Sequence, residues 1–158
     1  MIIRDGTKDD QLSIVDLIDA VYQEYGERIY LQGADSDLCD IETHYFSNNG
    51  HFWVLDDKSR IRGTHAAFAS DASGTCIFRR LYLDSELRGS TDWGSKLMQI
   101  TMDWAHDKGY QRIEFWSDIR FTRAHSFFEK FGFCTNGEIR SMHDGYEPYH
   151  EYFFWLDL

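Results

Sequence analysis

The run from Cys76 to Phe115 leaves this chain few folds to choose from. Cys76-Ile77-Phe78-Arg79-Arg80-Leu81-Tyr82-Leu83 reads as a strand, and Leu97, Ile100, Thr101, Trp104 and Ala105 recur at helical spacing. Gly109 suits the left-handed residue that ends a helix, and Ile113-Glu114-Phe115 alternates as a strand does. Strand, helix and strand in that order predict a parallel crossover. Between the first strand and the helix lies Arg88-Gly89-Ser90-Thr91-Asp92-Trp93-Gly94-Ser95, a turn rich in small residues. Such a turn presents unpaired backbone N–H groups at a helix N-terminus, where the helix dipole also favours an anion, so it is a candidate phosphate site.

The flanking segments extend the same pattern. Ile2 and Ile3 start a short strand, and Thr7 with Asp10 or Gln11 forms a cap for a helix carrying Ile14, Leu17, Ile18, Val21 and Tyr25 on one face. A second, shorter helix is predicted to begin near Ser36 to Asp40. Phe52 to Leu55, Ile61 to Ala69 and Thr75 to Leu83 read as an antiparallel meander, with turns at Asp56-Asp57-Lys58-Ser59 and Asp71-Ala72-Ser73-Gly74. After the crossover, Ala124, Phe127, Phe128 and Phe131 mark a helix that stops at Gly132, followed by closing strands over Phe133 to Ile139 and Tyr149 to Leu156. The predicted order is β-α-α-β-β-β-α-β-α-β-β, a mixed α/β fold in a single domain over residues 1–158, with no internal repeat or linker.

Composition narrows the function classes. With 158 residues and 42% hydrophobic content the chain can bury a real core. A net charge of −11 argues against nonspecific nucleic-acid binding, which needs a basic surface to displace counterions. The start of the chain lacks a signal pattern and no apolar run approaches the roughly 20 residues of a membrane span, so a cytoplasmic protein without a membrane partner is expected. Cys39, Cys76 and Cys134 are widely spaced, and no histidines stand at H-x-x-x-H spacing, so neither a disulfide framework nor a metal site is expected. Charge is distributed unevenly. From Asp16 to Glu42 there are 8 acidic residues and 1 basic one, a split that fits a cationic acceptor beside that segment.

Together with Phe127-Phe128-Glu129-Lys130-Phe131-Gly132-Phe133, the Arg88 to Ser95 turn resembles the GNAT superfamily of acyl-CoA-dependent N-acyltransferases, most clearly from about Gly63 to Phe133. The resemblance implies a central, mostly antiparallel sheet of six to seven strands with about four helices, its fourth and fifth strands splayed to admit a pantetheine arm. It implies acetyl-CoA, or another acyl-CoA, as cofactor. Arg88, Gly89, Gly94 and Ser95 match the ends of the family's pyrophosphate pattern, with Ser90, Thr91, Asp92 and Trp93 between them. Thr91 stands where glycine is usual, and the spacing from Arg88 to Gly94 is one residue longer than common. Leu81, Tyr82 and Leu83 fall where family members pair backbone groups with pantetheine, Phe128 falls beside the thioester, and Arg120 and Arg123 are candidates for the cofactor's 3′-phosphate. A nucleotide P-loop is discounted, because Lys96 comes one place late and Ser95 precedes it, turning both side chains by about 100° around the helix.

Acyl transfer to an amine needs a neutral amine, and stripping the proton from an alkylammonium at pH 7 costs roughly 4.6 kcal/mol. Many family members use a fourth-strand glutamate as base and a last-helix tyrosine as acid; Ile77 and Phe128 stand at those positions here. Neither transfers a proton. His125, one turn before Phe128, is the substitute candidate, and orientation of amine and thioester supplies the rest. Glu24 and Glu42 are candidates to hold an amine, with Tyr22, Tyr25 and Tyr30 walling its aliphatic part. The expected partner is a small cationic amine or a lysine-containing acceptor, and a homodimer is compatible with the sequence. A non-catalytic acyl-CoA-binding module is the alternative.

Overall fold

The computed structural model describes residues 1–158. Seven strands form one sheet in the order β1-β2-β3-β4-β5-β7-β6. β1 (Ile2–Asp5), β2 (His51–Asp56), β3 (Ile61–Ala69) and β4 (Thr75–Leu83) are antiparallel neighbours in chain order. α3 (Trp93–Asp107) then crosses over, so that β5 (Arg112–Asp118) lies parallel to β4. α4 (Thr122–Lys130) follows, and β6 (Ile139–Met142) and β7 (Tyr149–Asp157) close the sheet antiparallel to their neighbours. α1 (Gln11–Gln23) and the short α2 (Ile41–His44) complete the mixed α/β fold. No helix is long and apolar enough to cross a membrane.

Two cores explain why β2 is apolar at consecutive positions. Phe52 and Val54 pack with Ile14, Ile18 and Ile41 of α1 and α2, while Trp53 and Leu55 pack with Leu97, Met98 and Phe128 of α3 and α4. Successive strand residues point to opposite faces, so a strand covered on both sides is apolar throughout. The expected caps are present: the Thr7 N–H donates to Asp10 Oδ2 at 2.8 Å ahead of α1, and Gly109 and Gly132 take positive φ of 82° and 93° just past α3 and α4.

The expected divergence of the fourth and fifth strands is present. β4 and β5 pair only at Thr75↔Arg112, Cys76↔Ile113 and Ile77↔Glu114, after which β4 continues to Leu83 and β5 to Asp118 without touching ladders. β4 also carries an extra residue, because Arg79 pairs with Ala66 and Tyr82 with Thr64, leaving Arg80 and Leu81 opposite the single His65. Arg80 sits at φ 63°, the left-handed region a non-glycine residue enters at a cost.

Three sequence expectations shift. The closing strand placed over Phe133 to Ile139 begins at Ile139 instead; before it there is only a bridge from Cys134 to Trp155, because Gly137 (φ 80°) and the Asn136 side chain, which accepts from the Glu138 N–H at 2.9 Å, turn the chain. α1 ends at Gln23, so Tyr25 lies beyond the helix. The short helix expected to begin near Ser36 to Asp40 does begin there but is split into a tight 3-10 turn over Ser36–Cys39 and α2, which Asp40 caps by accepting from the Thr43 N–H at 3.1 Å.

Candidate functional site

Where β4 and β5 part, a cleft of about 190 Å³ crosses the sheet. Its lining comes from both faces: Tyr22 and Asp35 from the α1 side, Met98 and Phe128 from the α3 and α4 side, and Leu81, Tyr82 and Ser117 from the parted strands. The outer mouth is aromatic, with Tyr25 against Phe121 (centroids 4.8 Å apart) and Tyr30 against Tyr146 (4.7 Å). The segment carrying Tyr30 is locked onto the β6–β7 loop, since the Ala34 N–H donates to Asp144 O at 3.0 Å and a Cβ on Gly33 would fall 2.3 Å from that same oxygen.

Beneath the mouth lies a buried ionic network. Arg80 donates from Nε to Asp37 Oδ2 at 3.0 Å and from Nη1 to Asp35 Oδ1 at 2.9 Å, and its other nitrogen reaches Asp37 and the Ala34 carbonyl. Tyr22 donates to Asp35 at 2.9 Å, and the Tyr45 hydroxyl donates to Asp37. Burial alone would raise the Asp37 carboxyl, but the Arg80 charge and hydrogen bonds hold it down at about 2. This network ties the segment after α1 to the bulge of β4. Sequence reasoning passed over it, although two adjacent arginines inside a strand signal broken alternation.

The turn before α3 keeps its amides open. The helical ladder begins with the Lys96 N–H donating to Asp92 O at 3.0 Å, so the N–H groups of Gly94 and Ser95 have no partner one turn back. Thr91 Oγ1 donates to Leu87 O at 2.7 Å and Ser90 Oγ to Glu86 O at 3.4 Å, which folds the extra loop residue back on the preceding turn. The Asp92 carboxylate is 70% exposed and 3.3 Å from Lys96 Nζ, and Lys96 also sits 4.3 Å above the Trp93 ring. Gly89 has φ 72°, and Arg123 Nη2 approaches to 2.9 Å of where its Cβ would be. Arg123 is exposed, without an ion pair, and touches the loop. Arg120, the other arginine singled out, is committed to Asp118 at 2.7 Å and Glu27 at 3.1 Å.

The remaining sequence candidates separate in space. Leu81, Tyr82, Tyr25, Tyr30 and Phe128 line the cleft, whereas Leu83 faces the turn before α3, 3.7 Å from a Cβ placed on Gly94. Glu24 lies outside the cleft and binds Arg88 through two bonds of 2.9 and 2.7 Å, while Arg88 Nε holds the Leu83 carbonyl at 2.8 Å. Glu24 is therefore spent on the turn. His125 does not line the cleft either; its ring packs on Phe128, Tyr152 and Phe154, and Nε2 lies 3.2 Å from Ser117 Oγ, which does line it. Burial lowers the His125 pKa, which keeps the ring neutral near pH 7. Phe128 is 6% exposed in a cluster with Phe115, Phe133 and Phe154. The cationic-acceptor expectation meets paired acids: within the acidic segment Asp19 binds Arg28, Glu24 binds Arg88, Glu27 binds Arg120, and Asp35 and Asp37 bind Arg80.

Comparison with known proteins agrees with this geometry. A family model described as acetyltransferase (GNAT) domain matches residues 48–135. An N-acetylaspartate synthetase of Danio rerio is 27% identical over 119 residues, covering 72% of this chain and 42% of that protein, so the chain spans less than half the length of this curated relative. Among solved structures, an acetyltransferase from Streptococcus agalactiae 2603 superposes with TM-score 0.82 at 21% identity, covering 99% of this chain and 98% of that one. A GNAT-family acetyltransferase from Staphylococcus aureus Mu50 gives 0.81 at 17% identity, with 99% and 98% covered. A putative acetyltransferase from Salmonella typhimurium, solved with its cofactor acetyl-CoA, gives 0.75 at 15% identity, with 99% and 93% covered. At these identities the solved structures speak to the fold alone.

Proposed function

Because the chain belongs to the GNAT acetyltransferase family, we propose that residues 1–158 form one N-acetyltransferase domain that moves the acetyl group of acetyl-CoA to the primary amine of a small molecule or a lysine side chain. The observation that carries this reading is the cleft through the sheet at the β4/β5 divergence, which has an aromatic mouth and whose β4 wall runs on to Leu83, beside the turn before α3. The residues present fit the cofactor. Open amides at Gly94 and Ser95 with unpaired Arg123 suit a pyrophosphate, and the edge of β4 from Phe78 to Leu83 has no strand partner on the cleft side, which leaves backbone groups for an extended amide chain. Acetyl-CoA supplies the acyl group as an activated thioester. The Danio rerio relative's name supports an amine acceptor.

At the cleft wall, Ser117 backed by His125 is the proton route this reading favours. The Ser117 hydroxyl takes a proton from the amine nitrogen as it passes its own to neutral His125 Nε2, and the imidazolium returns a proton along the same path to the departing sulfur. Protons balance over the cycle. Phe128 has no part in that transfer and packs the wall. Two measurements check these roles. Gly94→Val is expected to fold, since a Cβ there meets nothing closer than 3.7 Å, yet to weaken CoA binding about tenfold or more by crowding the amides; unchanged affinity in calorimetry would remove the turn from the cofactor site. His125→Ala is expected to lower kcat about 10²-fold with CoA affinity intact, and wild-type kinetics would remove the shuttle.

A second reading, a CoA-binding module without turnover, draws on the apolar Ile77 and Phe128. CoA binding with no thiol release across a broad amine panel would favour it.

A further inference from the structure

The charged side chains that line the cleft are almost all spoken for. Asp35 and Arg80 hold each other, Glu27 and Asp118 hold Arg120, Arg28 holds Asp19, and Glu151 holds Arg140. Two remain. Glu147 lines the mouth with neither an ion pair nor a hydrogen bond, and Arg79 lines the same cleft with no hydrogen-bond acceptor for any of its N–H donors. The nearest charge to Arg79 is Asp37 Oδ1, 3.9 Å from Nη2, and that carboxylate already accepts from Arg80 and Tyr45.

The bulge explains how Arg79 comes to be there. Consecutive residues of a regular strand point to opposite faces, so either Arg79 or Arg80 should face away from Asp37. The extra residue and the φ of 63° at Arg80 break that alternation, and both guanidinium groups end on the Asp37 side. Arg80 then serves structure, sealed at 4% side-chain exposure, while Arg79, at 39%, opens to the cleft. A strained backbone position that brings a second arginine into a cavity and leaves its fork empty is a receptor for a planar anion, since a guanidinium fork matches a carboxylate in two parallel bonds.

Resting on the acetyltransferase reading, we infer that the acceptor is a free amino acid, its carboxylate held by Arg79 and its ammonium drawn in by Glu147 before it is deprotonated. This assigns substrate class to a residue outside the proton route and the cofactor turn. It also replaces a purely cationic acceptor, because Asp19, Glu24, Glu27, Asp35 and Asp37 of the acidic segment each hold an arginine, while Arg79 and Glu147 keep their hydrogen-bonding groups free for the ligand.

The test is thiol release from acetyl-CoA with L-aspartate, L-alanine, ethylamine, spermidine and a lysine-containing peptide, for the wild type, Arg79→Gln and Arg79→Lys. The two amino acids should exceed ethylamine in kcat/KM by about 10- to 100-fold, the value of a charge-assisted pair. Arg79→Gln should raise their KM by a similar factor while kcat and the KM for acetyl-CoA stay within about twofold, and Arg79→Lys should fall between. Ethylamine, spermidine or the peptide matching the amino acids, or an unchanged preference in Arg79→Gln, overturns the inference and leaves the acetyltransferase reading standing. No thiol release with any of these amines overturns that reading instead. In that event, calorimetry of L-aspartate and L-alanine against CoA-saturated protein decides the site: binding abolished by Arg79→Gln supports it, and absence of binding to the wild type sinks it.

Discussion

Arg80→Met is expected to lower the unfolding free energy by about 3–5 kcal/mol at pH 7, a large part of the roughly 5–15 kcal/mol that holds a domain of this kind together. The arginine side chain is 4% exposed and its partners Asp35 and Asp37 are 3% and 6% exposed, so removing it strands two carboxylates in the interior. It also takes a donor from the Tyr22 hydroxyl and the Ala34 carbonyl. The pH dependence should become shallower. In the wild type Asp37 is held at about 2, below its ordinary 3.8, so its stabilisation is present above about pH 4 and is lost as pH falls toward 2. In Arg80→Met only Arg79 and the Tyr45 hydroxyl still oppose the burial of Asp37, so its carboxyl rises and that variant should lose less stability than the wild type as pH falls from 7 toward 5, a range over which His65 weakens both. Replacing Asp35 and Asp37 by Leu as well should recover part of the loss, because no charge is then stranded. Urea midpoints for the three proteins between pH 5 and 7 measure this. An unchanged midpoint in Arg80→Met, or a variant that weakens on mild acidification as the wild type does, would show that the network contributes little.

The second large effect concerns His65, which is 1% exposed, edge-on to Phe78 with centroids 5.0 Å apart, and within 3.4 Å of the Leu97 carbonyl through Nδ1. Burial pushes its pKa down to about 4, against 6.5 in an open chain. Between those values the unfolded chain binds a proton that the folded protein refuses. The stabilisation is therefore complete above pH 6.5 and declines as pH falls, by about 3 kcal/mol on reaching pH 4. His125, also lowered by burial, adds loss of the same sign. His65→Gln cannot titrate, so its stability should fall much less over the same interval even if it starts lower at pH 7. Denaturation midpoints at pH 7, 6, 5 and 4.5 compare the two slopes, and parallel slopes would mean that His65 is protonated in the fold or wetter than its surroundings indicate. His65 also lines the inner end of the cleft, so activity and stability should fail over a shared pH range.

Local pattern determined much of this protein. The stripe Leu97, Thr101 and Ala105 buries as its spacing requires, the strand of Cys76 to Leu83 leads into a turn with open amides, and Thr7, Gly109 and Gly132 mark helix ends, because period, caps and left-handed glycines act over one or two turns of chain. Even the β4/β5 parting followed from element order once the resemblance was seen. Only the tertiary structure decided which charges are spent. Nothing in the spelling of Asp35, Asp37 and Arg80 says that residues more than forty positions apart are partners, or that Glu24 goes to Arg88 in the turn before α3. The acidic segment accordingly looked like bait for a cation. Five of its carboxylates instead pair with arginines: Asp35 and Asp37 with one from β4, Glu24 with one from the turn before α3, Glu27 with one just past β5, and Asp19 with Arg28 of the segment itself. His65 and His125 are likewise plain histidines in sequence, and it is burial, a property of the whole packed sheet, that separates a neutral core ring from one that backs the cleft through Ser117. Charge pairing and desolvation depend on distances set by the complete fold, which is why residue type and spacing located the elements and left the chemistry of the cleft to their assembly.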